Sequence, residues 1–332
     1  MESKLYSKAE VADFINAGRV MLLSGSAKAL EGLPKGKWIA GSTPYFVDGI
    51  GVCDEDKIFV NDFTLVAKSA KTATYNAQNI ENIAINGYNN GITLVSIPID
   101  SEVYYTFANN SMRYPDIFNN PVVGFVAATK LDEYGKAKPY VADGADGLLN
   151  SEKAVVLYVE LPDYLAARTE IENFDTIDEE TSEVIFPKDG FVQSDCIIDG
   201  KPGNIAEYFE YTVKPKLGGY TQMITSQNGA LINRDPKIVD TKTGEVTFFS
   251  PIYAGDKYHL VKNGKNYLKM FNDSLSARRS DVVACFSCVS YFFGGNFTGK
   301  NVVKNGNYAF GEIAYQLLNK TIVTLEIDRV AQ

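Results

Sequence analysis

With one histidine in 332 residues, the chain has few routes to nucleophilic catalysis. Any Ser-His or Cys-His scheme must pass through His259, and a zinc site built from two or three imidazoles is excluded. Within GDKYHLV, His259 alternates with Tyr258 along an expected strand, where local hydrogen bonds commonly satisfy an imidazole; were haem bound, His259 is its one candidate axial imidazole. Cys285 and Cys288 form a lone C-x-x-C inside an apolar run. Three residues apart on a strand, their sulfurs point to opposite faces, so the pair reads as buried thiols and not as a redox or metal motif. Cys53 and Cys196 stand alone, and no metal site is expected. Glu172 with Asp175, or Asp178 with Glu180, offers the residue types of an acid-base pair, yet a run of carboxylates is ordinarily a solvated face. The glycine clusters 87–91 and 294–299 lack the strand-to-helix setting of a phosphate cradle and read as turns.

The elements that must position these groups fit a folded α+β protein. Hydrophobic residues make up 45% of the chain and charged ones 22%, which excludes a disordered or fibrous class. A net charge of −9 repels polyanions, and Arg278-Arg279 is too short a basic patch to reverse that. Nucleic-acid and membrane partners are therefore not expected. The N-terminal segment mixes charges with apolar residues and lacks the apolar run of a signal peptide, so a cytoplasmic protein with reduced thiols is expected.

Ser7 and Glu10 stand at capping-box spacing ahead of a short helix. Strands are expected at 20–23, 37–39, 57–60, 64–66 and 92–99, with helices at 73–85 and 101–110. PVVGFVAAT (121–129) and KAVVLYVELP (153–162) are continuously apolar and belong in the middle of a sheet. The acidic stretch 171–183 reads as a solvated loop, with a lobe boundary just after it. Beyond it, Asp199-Gly200 signals a hairpin and 204–211 a helix; strands follow at 237–239, 245–250 and 259–261, a helix at 268–278, and strands at 281–293 and 321–327. The expectation is two lobes, 1–190 and 191–332, with mixed β-sheets flanked by helices.

The run GNYAFGEIAYQLLNKTIVTLEI resembles the closing signature of FIST domains, with Gly306, Tyr308, Gly311, Glu312, Ile313, Asn319 and Thr321 at its glycine-aromatic, Gly-Glu-Ile and Asn-x-Thr positions. Upstream, CFSCVS, DGKPGNIAEYFEYTV, PVVGFVAAT and AGSTPYF are similar, in family order, to further FIST segments. Tyr291 and Leu318 depart from it, standing where the family often has Arg and His. The resemblance implies FIST N-like and FIST C-like lobes and a sensory module that binds a small ligand, amino acids or haem among them. It would signal through a separately encoded protein. It also implies ligand contacts from Cys288, Tyr308, Gly311, Glu312 and Asn319. On its residue type alone, Glu312 is either a capping carboxylate for a following helix or a polar group facing a cleft, while Tyr308 and Asn319 have the alternative task of holding their loop.

The function expected is a cytoplasmic small-ligand-binding sensory protein acting on a signalling partner. Two alternatives stand beside it: an enzyme using Cys288 as thiol or Glu312 as base, and a structural adaptor whose pocket has filled in.

Overall fold

The computed structural model describes residues 3–227, 229–262, 265–276 and 282–330, so Arg278-Arg279 lies outside the described residues. The fold is α+β. The chain divides into two compact units: Met1–Glu172 with Asn266–Gln332, and the inserted Asn173–Lys265. The expected boundary at 190/191 falls inside the insertion. The cause is long-range pairing, since Leu165–Glu172 lies antiparallel to Ile322–Arg329 and joins the two ends of the larger unit.

In the larger unit, local signals set the first helix. Ser7 Oγ accepts from Glu10 N at 3.3 Å, and Glu10 Oε2 accepts from Ser7 N at 2.9 Å, so Lys8–Asn16 begins with the expected capping box. Its Val11 and Ile15 enter a core with Trp38, Leu23 and Ile58. Three six-stranded mixed sheets follow. The first runs Lys4–Tyr6, Ile58–Asp62, Val20–Gly25, Lys37–Ser42, Val141–Asp143, Leu149–Asn150. The second runs Gln316–Leu318, Glu312–Ala314, Val122–Ala127, Gly91–Pro98, Ala154–Glu160, Ser69–Tyr75. The third runs Leu165–Glu172, Ile322–Arg329, Val282–Cys288, Gly306–Ala309, Tyr45–Asp48, Ile50–Cys53. Val122–Ala127 and Ala154–Glu160 are interior strands of the second sheet, buried except at Glu160, as their continuous apolar character predicts.

Each sheet contains one parallel pair: Val20–Gly25 with Lys37–Ser42, Gly91–Pro98 with Val122–Ala127, and Val282–Cys288 with Gly306–Ala309. Parallel neighbours need a crossover. Here the crossovers carry the helices Ala27–Leu30, Glu102–Asn110 and Val289–Gly294.

Three expectations are corrected here. Residues 64–66 form a turn and not a strand. The expected helix 73–85 is mostly absent, because Ser69–Tyr75 pairs with Ala154–Glu160 over seven positions and leaves only a 3-10 turn, Ile80–Asn82. Strand pairing outweighs the helix propensity of its alanines. The expected strand 281–293 ends at Cys288 and turns into a helix; its continuous apolar character suits either element.

The inserted unit is antiparallel throughout its strand pairs, with a core of Phe186, Phe209, Phe248, Tyr258 and their neighbours. Asp199 (φ 49°) and Gly200 (φ 75°) make the hairpin turn the sequence predicts between Asp195–Ile198 and Lys201–Asn204. Asn204 Oδ1 then caps a helical stretch by accepting from Ala206 N and Glu207 N at 3.0 and 3.1 Å. The acidic stretch is not wholly solvated: Asp175 is fully buried and accepts from Asn233 Nδ2 at 2.8 Å, with Lys265 Nζ at 3.9 Å.

Candidate functional site

The carboxyl ends of the three parallel pairs meet in the larger unit. Ser42, at the end of its strand, donates from Oγ to the Ala128 carbonyl at 2.7 Å, and its own carbonyl accepts from Ala128 N at 2.7 Å. The first and second sheets are joined there. Thr43 Oγ1 donates to the Tyr308 carbonyl at 2.6 Å, which joins the first sheet to the third. Val126 N donates to the Gly311 carbonyl at 2.9 Å, linking the second sheet to the turn after Gly306–Ala309. Ser42 and Thr43 are small enough to stand where strands from different sheets come within hydrogen-bond distance, and their hydroxyls replace ladder partners that a strand end lacks.

Against this junction lies a cleft of about 330 Å³ lined by Ser26, Thr43, Thr129, Lys130, Glu55, Glu133, Lys138 and Tyr140, among others. The volume is at the small end of the roughly 300–1,000 Å³ usual for ligand pockets. One wall is the segment 128–140, pinned at three points. Leu131 N donates to Tyr45 Oη at 2.8 Å, Lys130 Nζ pairs with Glu55 at 3.4 Å, and Tyr134 Oη donates to Asp100 Oδ2 at 2.6 Å while its ring stacks on Phe310 at 5.2 Å.

The electrostatics follow from those contacts. Glu55 raises the basicity of Lys130, chiefly through the hydrogen bond, so the ammonium stays charged at neutral pH. Among the described residues, Lys138 and Glu133 take part in no ion pair, leaving one charge of each sign open to the cleft. Burial pushes the phenols of Tyr45 and Tyr134 up, and in Tyr134 the Asp100 hydrogen bond adds to it. Burial likewise raises the Cys53 thiol. The two hydroxyls at the junction already donate to backbone carbonyls, so neither is placed as a nucleophile.

None of the site residues expected from sequence lines this cleft. Cys288 is buried, donates from Sγ to Ser290 Oγ at 3.2 Å, and opens the Val289–Gly294 helix. Tyr308 is buried among Phe271, Phe292 and Phe297, 5.7–6.1 Å between ring centroids, and that burial drives its phenol well above the usual range. Gly311 offers its carbonyl to Val126. Glu312 neither caps a helix nor faces the cleft: it lies fully buried in a strand, and Oε1 accepts from Thr321 N at 2.6 Å and from Thr321 Oγ1. Asn319 is buried in the turn that this carboxylate holds. Tyr308 and Gly311 therefore support the cleft through their backbone carbonyls. His259 belongs to the inserted unit, where Nδ1 lies 3.2 Å from the Thr181 carbonyl, the local satisfaction expected of a structural histidine. Among the described residues no group of three or more His, Cys, Asp or Glu is placed to hold a metal ion, and no helix is long and apolar enough to cross a membrane.

Lys130, Lys138, Glu55 and Glu133 were not singled out from sequence. Exposed charges on loops leave no periodic trace, and the one usable signal was the pair of small residues ending each apolar run, Ser42-Thr43 and Ala128-Thr129.

A family model matches residues 6–328, that of a family of unknown function, DUF6976. No curated protein and no solved structure matches the chain. The match overturns the FIST resemblance. Its segments were short strand ends and turns, such as the Gly311 close approach to the Leu318 carbonyl and the turn at Lys320 (φ 53°), whose composition follows from local geometry.

Proposed function

The chain belongs to the DUF6976 family, and we propose that it binds, without transforming, a small polar metabolite carrying an acidic group. The observation that carries this reading is the cleft at the joined carboxyl ends of three parallel strand pairs. Loops at the carboxyl ends of parallel strands gather ligand-binding groups because the sheet holds their bases rigid while their tips vary. Lys138 supplies an ammonium in no ion pair, and Lys130 a second one shared with Glu55. With Lys130 balanced by Glu55, the open ammonium of Lys138 is the group that favours an anionic part of the ligand, in a protein whose overall charge is −9. Glu133 favours a ligand with a cationic group as well.

A sensory role acting on a separate partner is part of the same proposal. A ligand bridging Lys138 to the strand ends would change the charge and shape of the surface that segment 128–140 presents, and a partner could read that change. Native mass spectrometry of the chain taken directly from cells tests the reading. A retained acidic small molecule, lost when Lys130 and Lys138 are both changed to Ala, is the expected result; a chain that carries nothing and takes up nothing from a metabolite extract contradicts it.

A further inference from the structure

The inserted unit contains a cavity of its own. It measures about 290 Å³ and is lined by Tyr208, Thr212, Val213, Leu260, Thr181 and Asp178, with Glu180 and Lys216 among the other contributors.

One wall is a six-residue π-helix, Tyr208–Val213, set between the short α-helices Ile205–Glu207 and Lys214–Leu217. Its cause is legible in the residues. Pro215 has no N–H to return to the preceding turn, and its ring crowds the carbonyl four residues back. The turn before it widens, with Lys214 N donating to the Phe209 carbonyl, five residues away. Such widened turns are costly in packing and concentrate at functional sites. This one brings Tyr208, Thr212 and Val213 to the cavity.

The facing wall is held without reference to a ligand. Leu260 N donates to Thr181 Oγ1 at 3.1 Å, Asp178 N donates to the Leu260 carbonyl at 3.0 Å, and Thr181 N donates to the Asp178 carbonyl at 3.0 Å. The cavity is thus bounded on both sides by backbone that its own hydrogen bonds fix. Its floor is apolar, formed by the buried Val213, Leu260 and Val261. Thr181, Ser182, Thr212 and Tyr208 also line it, and its charged lining is two acidic residues, Asp178 and Glu180, to one basic, Lys216. Asp178 Oδ1 accepts from Glu180 N at 3.3 Å, which keeps both acidic side chains on the same loop.

We propose that this cavity is a second binding site, specific to the inserted unit, for a small amphipathic amine. Its hydrocarbon part lies on the Val213, Leu260 and Val261 floor, and its ammonium group meets Asp178 and Glu180. Two carboxylates against one lysine select a cation over an anion of the same shape. The site is independent of the cleft in the larger unit, so either reading stands or falls alone.

Amide chemical-shift titration of the whole chain with butylammonium, butyrate and butanol tests the assignment. Butylammonium should give saturable shifts confined to Thr181, Thr212, Val213 and Val261, and butyrate none. Asp178→Asn keeps the oxygen that accepts from Glu180 N, so combining it with Glu180→Gln leaves the loop intact and should weaken butylammonium binding about tenfold, the loss of roughly 1.4 kcal/mol of attraction. Lys216→Met should tighten it. Equal binding of butyrate or butanol, no saturable shift with any of the three, or unchanged affinity in the double variant would overturn the proposal.

Discussion

A methyl group added at Gly124 would stand 1.8 Å from the Val95 carbonyl oxygen, and one at Gly41 would stand 2.1 Å from Ser96 Oγ and 2.7 Å from the Phe125 ring. In the inserted unit, a methyl at Gly200 or Gly218 would meet nothing within 4 Å; those glycines are there for φ values of 75° and 72°. Gly124 and Gly41 thus serve proximity, Gly124 beside its neighbour strand within the second sheet and Gly41 between the first sheet and the second, whereas Gly200 and Gly218 serve sharp turns, as Gly18, Gly32 and Gly49 do in the larger unit.

That contrast breaks most visibly at Gly124. Gly124→Ala should destabilise the larger unit by about 3 kcal/mol or more, since the obstacle is backbone and cannot rotate away. Chemical denaturation measures it, and a loss below about 1 kcal/mol would mean that the close packing of these strands is not required. Glu312→Ala should cost about 2 kcal/mol, because it leaves the buried Thr321 N–H without its side-chain acceptor. A retained stability would show that the 319–321 turn does not depend on that carboxylate. Gly218→Ala should cost only about 1 kcal/mol, the penalty of a left-handed non-glycine residue. A loss as large as that of Gly124→Ala would erase the distinction between close-packed and turn glycines.

The smallest expected effect is one of pH. Burial first, and then Asp100, raise the phenols of Tyr105 and Tyr134 above their unfolded value near 10. Above about pH 10 the unfolded chain releases those protons while the folded one keeps them, so stability declines as pH rises through that value. Both groups are partly exposed, and solvent screening keeps the slope shallow. Tyr105→Phe should flatten the decline in Tm between about pH 9.5 and 11. An unchanged slope would show that the phenol contributes nothing to it.

Local chemistry was readable from the residues. The Ser7-Glu10 box, the Asp199-Gly200 hairpin, the buried runs in Val122–Ala127 and Ala154–Glu160, and the α+β class each depend on spacing within a few positions. What required the structure is non-local. The insertion is defined by Leu165–Glu172 finding Ile322–Arg329, and the cleft by the ends of strands from three sheets converging on Ser42 and Thr43. Tyr308 and Gly311 bond to that convergence through their backbone carbonyls, while the Glu312 side chain holds Thr321. The charged residues around the cleft come from separate loops, and no periodicity within any one loop marks them as neighbours.

The account rests most directly on the cleft of the larger unit, and mapping amide shifts during titration with a panel of small acidic metabolites tests it. Saturable shifts gathered on Ser26, Thr43, Thr129, Lys130 and Lys138, abolished by changing both lysines to Ala, are the predicted result. Shifts gathered elsewhere in the larger unit, or none from any acidic compound at millimolar concentration, would contradict it.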